Sequence, residues 1–161
     1  VGECPQLQSL VVAGSKVTPA GLQHIAHLKQ LQMLSFSQKQ LEIPGALQIV
    51  KSLPKLRTIR LISVKDSGLQ NLLPITSIQT LSVQWCRDFT SLGLGAIADC
   101  SGLQTITFFR CNLAECDVTV LTRLKHLKKL RFTSVAISDA AIDSLKTALP
   151  NTNIAIVDPR K

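Results

Sequence analysis

Short alternations of apolar and polar residues recur along the chain at a nearly constant interval. In each, an apolar residue is followed by two variable positions, a second apolar residue, one variable position and a third apolar residue. A period of two predicts a short β-strand with one buried face. The six copies are Leu7/Leu10/Val12, Leu31/Leu34/Phe36, Leu56/Ile59/Leu61, Ile78/Leu81/Val83, Leu103/Ile106/Phe108 and Leu127/Leu130/Phe132.

The second part of each unit changes to helical spacing. Residues 22–28, for example, carry an apolar residue at every third position, which predicts a helix with one buried stripe. Pro19 and Pro44 mark two predicted helix starts, because Pro suits the first helical position. Ser138 is a predicted N-cap for the last helix.

These units predict a repetitive fold. They start near residues 7, 31, 56, 78, 103 and 127, and a closing strand is predicted at 153–157. Because no unit could bury its apolar side alone, the units must stack on one another. We therefore predict an α/β fold, a right-handed solenoid in a horseshoe arc, with a parallel sheet on the concave face and helices on the convex face. Residues 1–161 are predicted to form a single domain.

The third unit is the irregular one. It runs from residue 56 to residue 77 and is the shortest of the six. Its convex segment, residues 67–74, therefore has room only for a short helix or a 3₁₀ element.

Residues 100–111 (CSGLQTITFFRC) resemble the cysteine-containing class of leucine-rich repeats. Residues 16–29 (KVTPAGLQHIAHLK) are similar to repeats frequent in bacterial proteins, especially those of planctomycetes. The resemblance covers nearly the whole chain and implies protein binding through the concave sheet. F-box proteins carry related repeats, but the sequence contains no F-box.

The sequence departs from the leucine-rich-repeat pattern at the ladder position, where other classes carry Asn. No Asn ladder is therefore expected, and apolar packing should contribute more to stability at this position. The six residues at this position are Ser15, Lys39, Val64, Cys86, Cys111 and Val135.

Composition narrows the class of protein further. Apolar residues make up 45% of the chain and charged residues 17%, which favours an ordered globular protein. No apolar run is long enough for a membrane span. Five cysteines, an odd number without zinc-type pairing, read as reduced thiols. Together with the lack of a signal-peptide pattern at the start, this favours the cytoplasm.

The variable positions of the predicted strands carry a marked charge bias. The chain has 18 Lys and Arg against 10 Asp and Glu, a net charge of +8. Within the variable positions the only acid is Asp158, in the closing strand. The basic residues there are Arg57, Arg60, Arg110, Lys128, Lys129 and Arg131.

We therefore expect a basic, partly aromatic concave face that binds a protein with an acidic surface. Trp and Arg are the residue types most often found at interface hot spots. The expected partner-binding residues are Arg60, Ile62, Trp85, Phe109, Arg110, Lys129 and Arg131.

Other interpretations remain open at this point. The basic residues could serve only solubility, and Trp85 could fold over a repeat edge as part of the core. The chain could be a structural or targeting segment of a larger protein, such as a substrate-recruiting ligase adaptor. Nucleic acid is the less favoured partner, because stacking aromatics are few. We expect a monomer.

No cofactor, metal or catalytic site is expected. His24 and His27 lie three residues apart on a predicted helix, but no third ligand is near in sequence. Cys86 and Cys111 occupy equivalent positions in adjacent units and read as stacked small hydrophobes. Cys116, before the fifth predicted helix, could be an activated thiol, but Asp117 beside it would oppose activation.

Overall fold

The computed structural model describes residues 4–70 and 75–157. It contains one sheet of seven parallel strands in sequential order, with helices in the connections. The predicted parallel α/β architecture is therefore confirmed. The strands are β1 (Ser9–Val11), β2 (Met33–Ser37), β3 (Thr58–Ile62), β4 (Thr80–Gln84), β5 (Thr105–Phe109), β6 (Lys129–Thr133) and β7 (Asn153–Val157).

Alternation along each strand divides the sheet into a core face and an open face. In β3, Ile59 and Leu61 are buried, whereas Arg60 between them is half-buried. The core face is aligned from repeat to repeat by the strand register. Phe108 of β5 and Phe132 of β6 are paired and stack with ring centroids 5.6 Å apart. Burying a side chain of this size stabilises the fold by about 1.5–3 kcal/mol.

In the part of the chain that the structure describes, the connections hold six short α-helices and two 3₁₀ helices. The predicted N-cap Ser138 is confirmed, because its side chain accepts a hydrogen bond from the N–H of Ala141 at 3.2 Å. Thr18 caps α1 in the same way and accepts from the N–H of Gly21 at 3.1 Å. No helix within residues 4–70 and 75–157 is both long and apolar enough to cross a membrane. The α-helices are α1 (Pro19–Gln23), α2 (Gln38–Leu41), α3 (Ala46–Lys51), α4 (Asp66–Gln70), α5 (Ser91–Ala98) and α6 (Asp139–Ala148), and the 3₁₀ helices are His24–His27 and Val118–Arg123.

Two predicted helices differ from the structure. The start at Pro44 is wrong, because Gly45 has a left-handed φ of 89° and α3 begins only after it. The fifth predicted helix is a 3₁₀ helix, Val118–Arg123, in place of an α-helix. The short third unit carries the five-residue α4, as its length indicates; the rest of its predicted convex segment, 71–74, lies outside the described residues.

Side-chain hydrogen bonds between successive helices link the repeats on the convex side. Gln38 of α2 accepts from the backbone N–H of Lys65 at 2.8 Å. Asp66 of α4 accepts from the N–H of Thr90 at 3.2 Å, and also from its hydroxyl. Ser91 accepts from the N–H of Asp117 at 2.8 Å. These bonds supply part of the polar linkage that an Asn ladder would provide.

At the ladder position itself, the expected apolar packing holds only in the middle of the array. Val64, Cys86 and Cys111 are buried there, whereas Ser15 and Lys39 are exposed. Helix α2 begins directly after β2, so the second repeat leaves its strand along a different path. Lys39 lies within that helix and is therefore not placed to stack on its neighbours.

Four other repeats leave their strand through a non-glycine residue in the left-handed region. Each donates its backbone N–H to the last residue of the next strand, at 2.8–3.0 Å. The conformation costs roughly 1–2 kcal/mol for a residue with a Cβ. Gly14 occupies the equivalent position in the first repeat, with φ 77°. The four residues are Ser63, Trp85, Arg110 and Ser134, with φ of 51°, 60°, 52° and 52°.

Gly102 provides a test of the inter-repeat packing. A Cβ on Gly102 would lie 2.1 Å from the carbonyl oxygen of Thr76 in the preceding repeat. We expect Gly102→Ala to lower the free energy of unfolding by about 1–3 kcal/mol, the usual cost of overpacking, in urea denaturation.

The matched control for that substitution is Gly95→Ala. Gly95 lies inside α5, and an added Cβ would meet only Arg123, at 3.8 Å. Alanine in a helix interior is favoured over glycine by about 0.5–1 kcal/mol, so this variant should be more stable than the wild type. Equal effects of the two substitutions would contradict the packing described.

Candidate functional site

The predicted basic residues on the open sheet face fall into two groups separated by hydroxyl side chains. Strand register aligns Arg60 of β3 with Ser82, Ser82 with Thr107, and Thr107 with Arg131 of β6. Three inter-strand spacings place the Cα atoms of the two arginines roughly 14 Å apart. Arg60 and Arg131 therefore flank a neutral centre and do not form one continuous basic patch.

A second row on the same face repeats this arrangement. Thr58, Thr80 and Thr105 are register neighbours, and the row continues to Lys129. Like Arg131, Lys129 is exposed, whereas the threonines are half-buried. These hydroxyl groups are not among the predicted site residues, which are the charged, aromatic and large apolar residues of the variable positions. Comparison of the same offset in successive repeats would have revealed them.

Trp85, Phe109 and Arg110 contact one another, and we call them the aromatic–arginine cluster. The guanidinium carbon of Arg110 lies 4.5 Å from the ring centroid of Trp85 and 5.4 Å from that of Phe109. The two rings meet edge to face, with centroids 5.8 Å apart. Such cation–π contacts contribute about 0.5–1 kcal/mol at exposed sites. The cluster therefore holds Arg110 in a defined orientation.

The turn geometry explains why these side chains meet. Trp85 and Arg110 were expected on the open sheet face, but they follow β4 and β5 in the left-handed position described above. Because they occupy equivalent positions in adjacent repeats, their side chains lie side by side. Trp85 is 41% exposed, which excludes the interpretation that it is part of the core.

Ile62 lies on the same edge of the sheet but outside the aromatic–arginine cluster. It is paired with Gln84, which is in turn paired with Phe109. The amide of Gln84 donates to the hydroxyl of Ser82 at 3.0 Å. A half-buried Ile62 is therefore separated from Phe109 by one polar strand position.

An open depression, which we call the edge groove, lies beside the aromatic–arginine cluster at the carboxyl ends of the strands. Its volume is about 710 Å³, within the usual range for ligand-binding clefts. Trp85 forms the ridge between this groove and a smaller, more polar depression of about 330 Å³. The lining of the edge groove includes Trp85, Arg87, Arg110, Asn112, Asp139, Ile156 and Val157.

Several basic residues outside the site are held by an ion pair or by hydrogen bonds to backbone carbonyls. On the convex side, Arg123 pairs with Asp99 at 2.9 Å and donates to the carbonyl of Gly95 at 2.9 Å. Arg57, expected on the open face, precedes β3 and donates to the backbone carbonyls of Pro54 and Leu56. Lys128 likewise precedes its strand, β6.

By contrast, the basic residues of the face and groove are not paired with carboxylates within the part of the chain that the structure describes. These residues are Arg60, Arg87, Arg110, Lys129 and Arg131. Asp158, the acid expected in the closing strand, lies outside the described residues.

Three of the cysteines have the properties of structural thiols. Contact with the Cys111 thiol, together with burial, raises the pKa of the Cys86 thiol. Burial, and then Asp99, raises the pKa of Cys100 to about 11. Burial, and then Asp66 and Glu115, raises the pKa of Cys116. The Cys116 thiol, which donates to the carbonyl of Phe89 at 3.3 Å, is therefore not an activated nucleophile.

The histidine pair considered as a metal site is exposed on a 3₁₀ helix. His24 and His27 belong to the element His24–His27 that follows α1. Within residues 4–70 and 75–157, no group of three or more potential ligands of the His, Cys, Asp or Glu type is placed to hold a metal ion.

Comparison with known proteins identifies the fold. No protein-family model matches the sequence, and no curated protein matches it. The TLR13–ssRNA13 complex aligns with 96% of this chain and 23% of its own, with a TM-score of 0.67 and 19% identity. An internalin (InlF) from Listeria monocytogenes aligns with 97% of this chain and 42% of its own, with a TM-score of 0.59 and 16% identity.

These structures are leucine-rich-repeat proteins, and this chain spans less than half the length of either. The chain is therefore a leucine-rich-repeat solenoid in fold, as its repeats predict. The open sheet face corresponds to the concave side of such solenoids. The narrower resemblance to cysteine-containing and planctomycete-like repeats stays a prediction.

Thiol alkylation tests the assignment of the cysteines. Because the thiolate is the reactive form, a pKa of about 11 predicts that alkylation of Cys100 by iodoacetamide accelerates up to about pH 11. Cys86 and Cys111 should stay unlabelled in the folded protein, whereas the exposed Cys4 should react first. Peptide mass mapping gives the rate for each site, with urea-unfolded protein as the control. Rapid labelling of Cys86 at neutral pH in the folded protein would refute a buried structural thiol.

Proposed function

We propose that this chain is a protein-interaction module, which acts as a monomer and binds a partner with an acidic surface through its open sheet face and the adjoining edge. The carrying observation is the aromatic–arginine cluster. An exposed Trp85 orients Arg110 at 4.5 Å, and no carboxylate among the described residues neutralises that arginine. The proposal assigns no catalytic role to the chain.

The chemistry of the face supports this function over a role in solubility alone. Solubility is served by dispersed surface charge and does not require a large aromatic residue to remain exposed. Trp and Arg are the residues most enriched at binding hot spots. Arg60 on one side and Lys129 with Arg131 on the other would steer an acidic partner towards the neutral hydroxyl centre.

The alternative is a structural or targeting segment of a larger protein, such as a ligase adaptor, whose partner contacts other surfaces. Nucleic acid is a further alternative, because one of the similar structures is a complex with ssRNA13. Nucleic-acid binding is distinguished by its dependence on salt. When binding rests on phosphate contacts, the logarithm of the affinity falls steeply and linearly with the logarithm of the salt concentration. The two aromatic residues of the aromatic–arginine cluster, Trp85 and Phe109, offer little surface for base stacking.

Charge reversal on the open face tests the proposed function. We expect Arg60→Glu with Arg131→Glu to lower the capture of specific partners by at least about tenfold, because both flanks then repel an acidic surface. The measurement is quantitative affinity capture from lysate, followed by mass spectrometry and by measurement of affinity for the purified partner.

The control carries the same change in charge on the convex side, as Lys51→Glu in α3 with Lys146→Glu in α6. It should retain binding within about twofold, since surface pairs such as Lys146 with Asp143 contribute little. If the face variant captures the same proteins as the wild type, the sheet face is not the binding surface. Capture dominated by nucleic acid, lost on nuclease treatment, would favour the RNA alternative.

A further inference from the structure

The edge groove combines apolar walls with two arginines, Arg87 and Arg110, that form no ion pair with any residue that the structure describes. Among the exposed large hydrophobic residues, Trp85, Ile156 and Val157 all line this one depression. Ile156 is 53% exposed because, among the described residues, no strand stacks on β7 beyond it, whereas its register partner Phe132 lies between two strands and is almost completely buried. Several large apolar side chains exposed around one cleft mark a binding site.

The length of the edge groove follows from the strands along which it lies. Arg110, next to Trp85, follows β5, whereas Val157 ends β7. The lining from the end of β4 to the end of β7 covers three inter-strand spacings, roughly 14 Å. An extended chain advances about 3.3 Å per residue, so this length matches about four residues. A cleft of these proportions fits a short peptide segment better than a single side chain.

The charges determine what kind of segment fits. A guanidinium presents a planar fork of donors that matches a carboxylate, and the Trp85 ring already orients that of Arg110. Arg87 adds a second positive charge in the lining. Asp139, in the first turn of α6, also lines the groove and would repel a second carboxylate.

We infer that the edge groove binds an extended peptide segment of a partner protein. The segment carries a single carboxylate, which pairs with Arg110, and a large apolar side chain within about four residues of it, which packs on Ile156 and Val157. This inference rests on the proposed function and adds the recognition chemistry. A partner held only by the open sheet face would be selected for several acidic residues, whereas the groove selects for one acid beside an apolar anchor.

The test uses phage-displayed random nonapeptides selected on the full chain. Selected sequences are expected to share one Asp or Glu with a large apolar residue within four positions. Because Trp85 is the one tryptophan of the chain, its fluorescence reports groove occupancy directly. Each synthesised peptide, blocked at both ends, should shift the Trp85 emission saturably.

Three variants assign the contact. Arg110→Gln should weaken peptide binding at least about tenfold, as should Glu→Gln in the peptide, because either removes a charge-assisted pair. Arg110→Lys keeps the charge without the planar fork and should fall between. Lys65→Gln, on the other side of the Trp85 ridge, removes one charge outside the groove and should bind within about twofold of the wild type. Circular dichroism and thermal melting establish that each variant is folded.

Several results would overturn the inference. They are selection of peptides without an acid, an unchanged Trp85 emission at saturation, or wild-type affinity in the Arg110→Gln variant. Equal competition by N-acetylglutamate would assign the groove to small carboxylic acids in place of peptides. The Arg60→Glu, Arg131→Glu variant separates this inference from the proposed function. If it keeps peptide binding but loses the protein partner, both stand; if it keeps both, the groove alone is the binding site.

Discussion

Register between parallel strands is the constraint on which the rest of this molecule depends. A five-residue strand with one apolar face cannot bury that face by itself, so each repeat is stable only against its neighbours. The core is a set of aligned columns, in which Phe108 stacks on Phe132 and equivalent residues continue on either side. The same alignment acts on the opposite face of the sheet. Every open-face side chain lies beside the equivalent residue of the next repeat.

Because of that alignment, residues at the same position of successive repeats form one continuous surface. Arg60, Ser82, Thr107 and Arg131 are far apart in the chain, but the register places them in one row. The convex hydrogen bonds serve the same register from the other side of the core, as when Asp66 accepts from the N–H of Thr90 in the next repeat. If this face binds a partner as proposed, the fixed register would hold its side chains in place beforehand and so lower the entropic cost of binding.

The repeat units could be predicted from sequence because strand and helix periods are local properties. A buried strand is predicted, for example, by the spacing of Leu56, Ile59 and Leu61 alone, without any other repeat. The exits from the strands could not be predicted in the same way. The capping box of Ser37 with Gln40 is a local signal for the helix that begins at Gln38, but no local feature predicts the left-handed turn at Ser63. The outcome depends on contacts between repeats, such as the hydrogen bond from Ser63 to the carbonyl of Gln84 in the next strand.

The candidate site was predictable in composition but not in geometry, for the same reason. Reading the variable positions finds Trp85, Phe109 and Arg110, yet places them all on the sheet face. Their contact arises because two of them lie just beyond the strands, in equivalent left-handed turns. Likewise, the edge groove has no signature in sequence, since residues of three repeats and of the closing strand line it.

The left-handed turns have an energetic cost at Trp85 and Arg110. Glycine adopts this conformation without a steric cost, and Gly14 occupies the equivalent position in the first repeat. Trp85 and Arg110 carry the cost in adjacent repeats, and the backbone bonds to Phe109 and Thr133 hold them in place. Part of that cost is offset by the cation–π contact, which is too small to offset both turns. Ser63 and Ser134 adopt the same turn at the equivalent positions of other repeats. The turn therefore belongs to the repeat, and what is particular to Trp85 and Arg110 is that it places their side chains in contact.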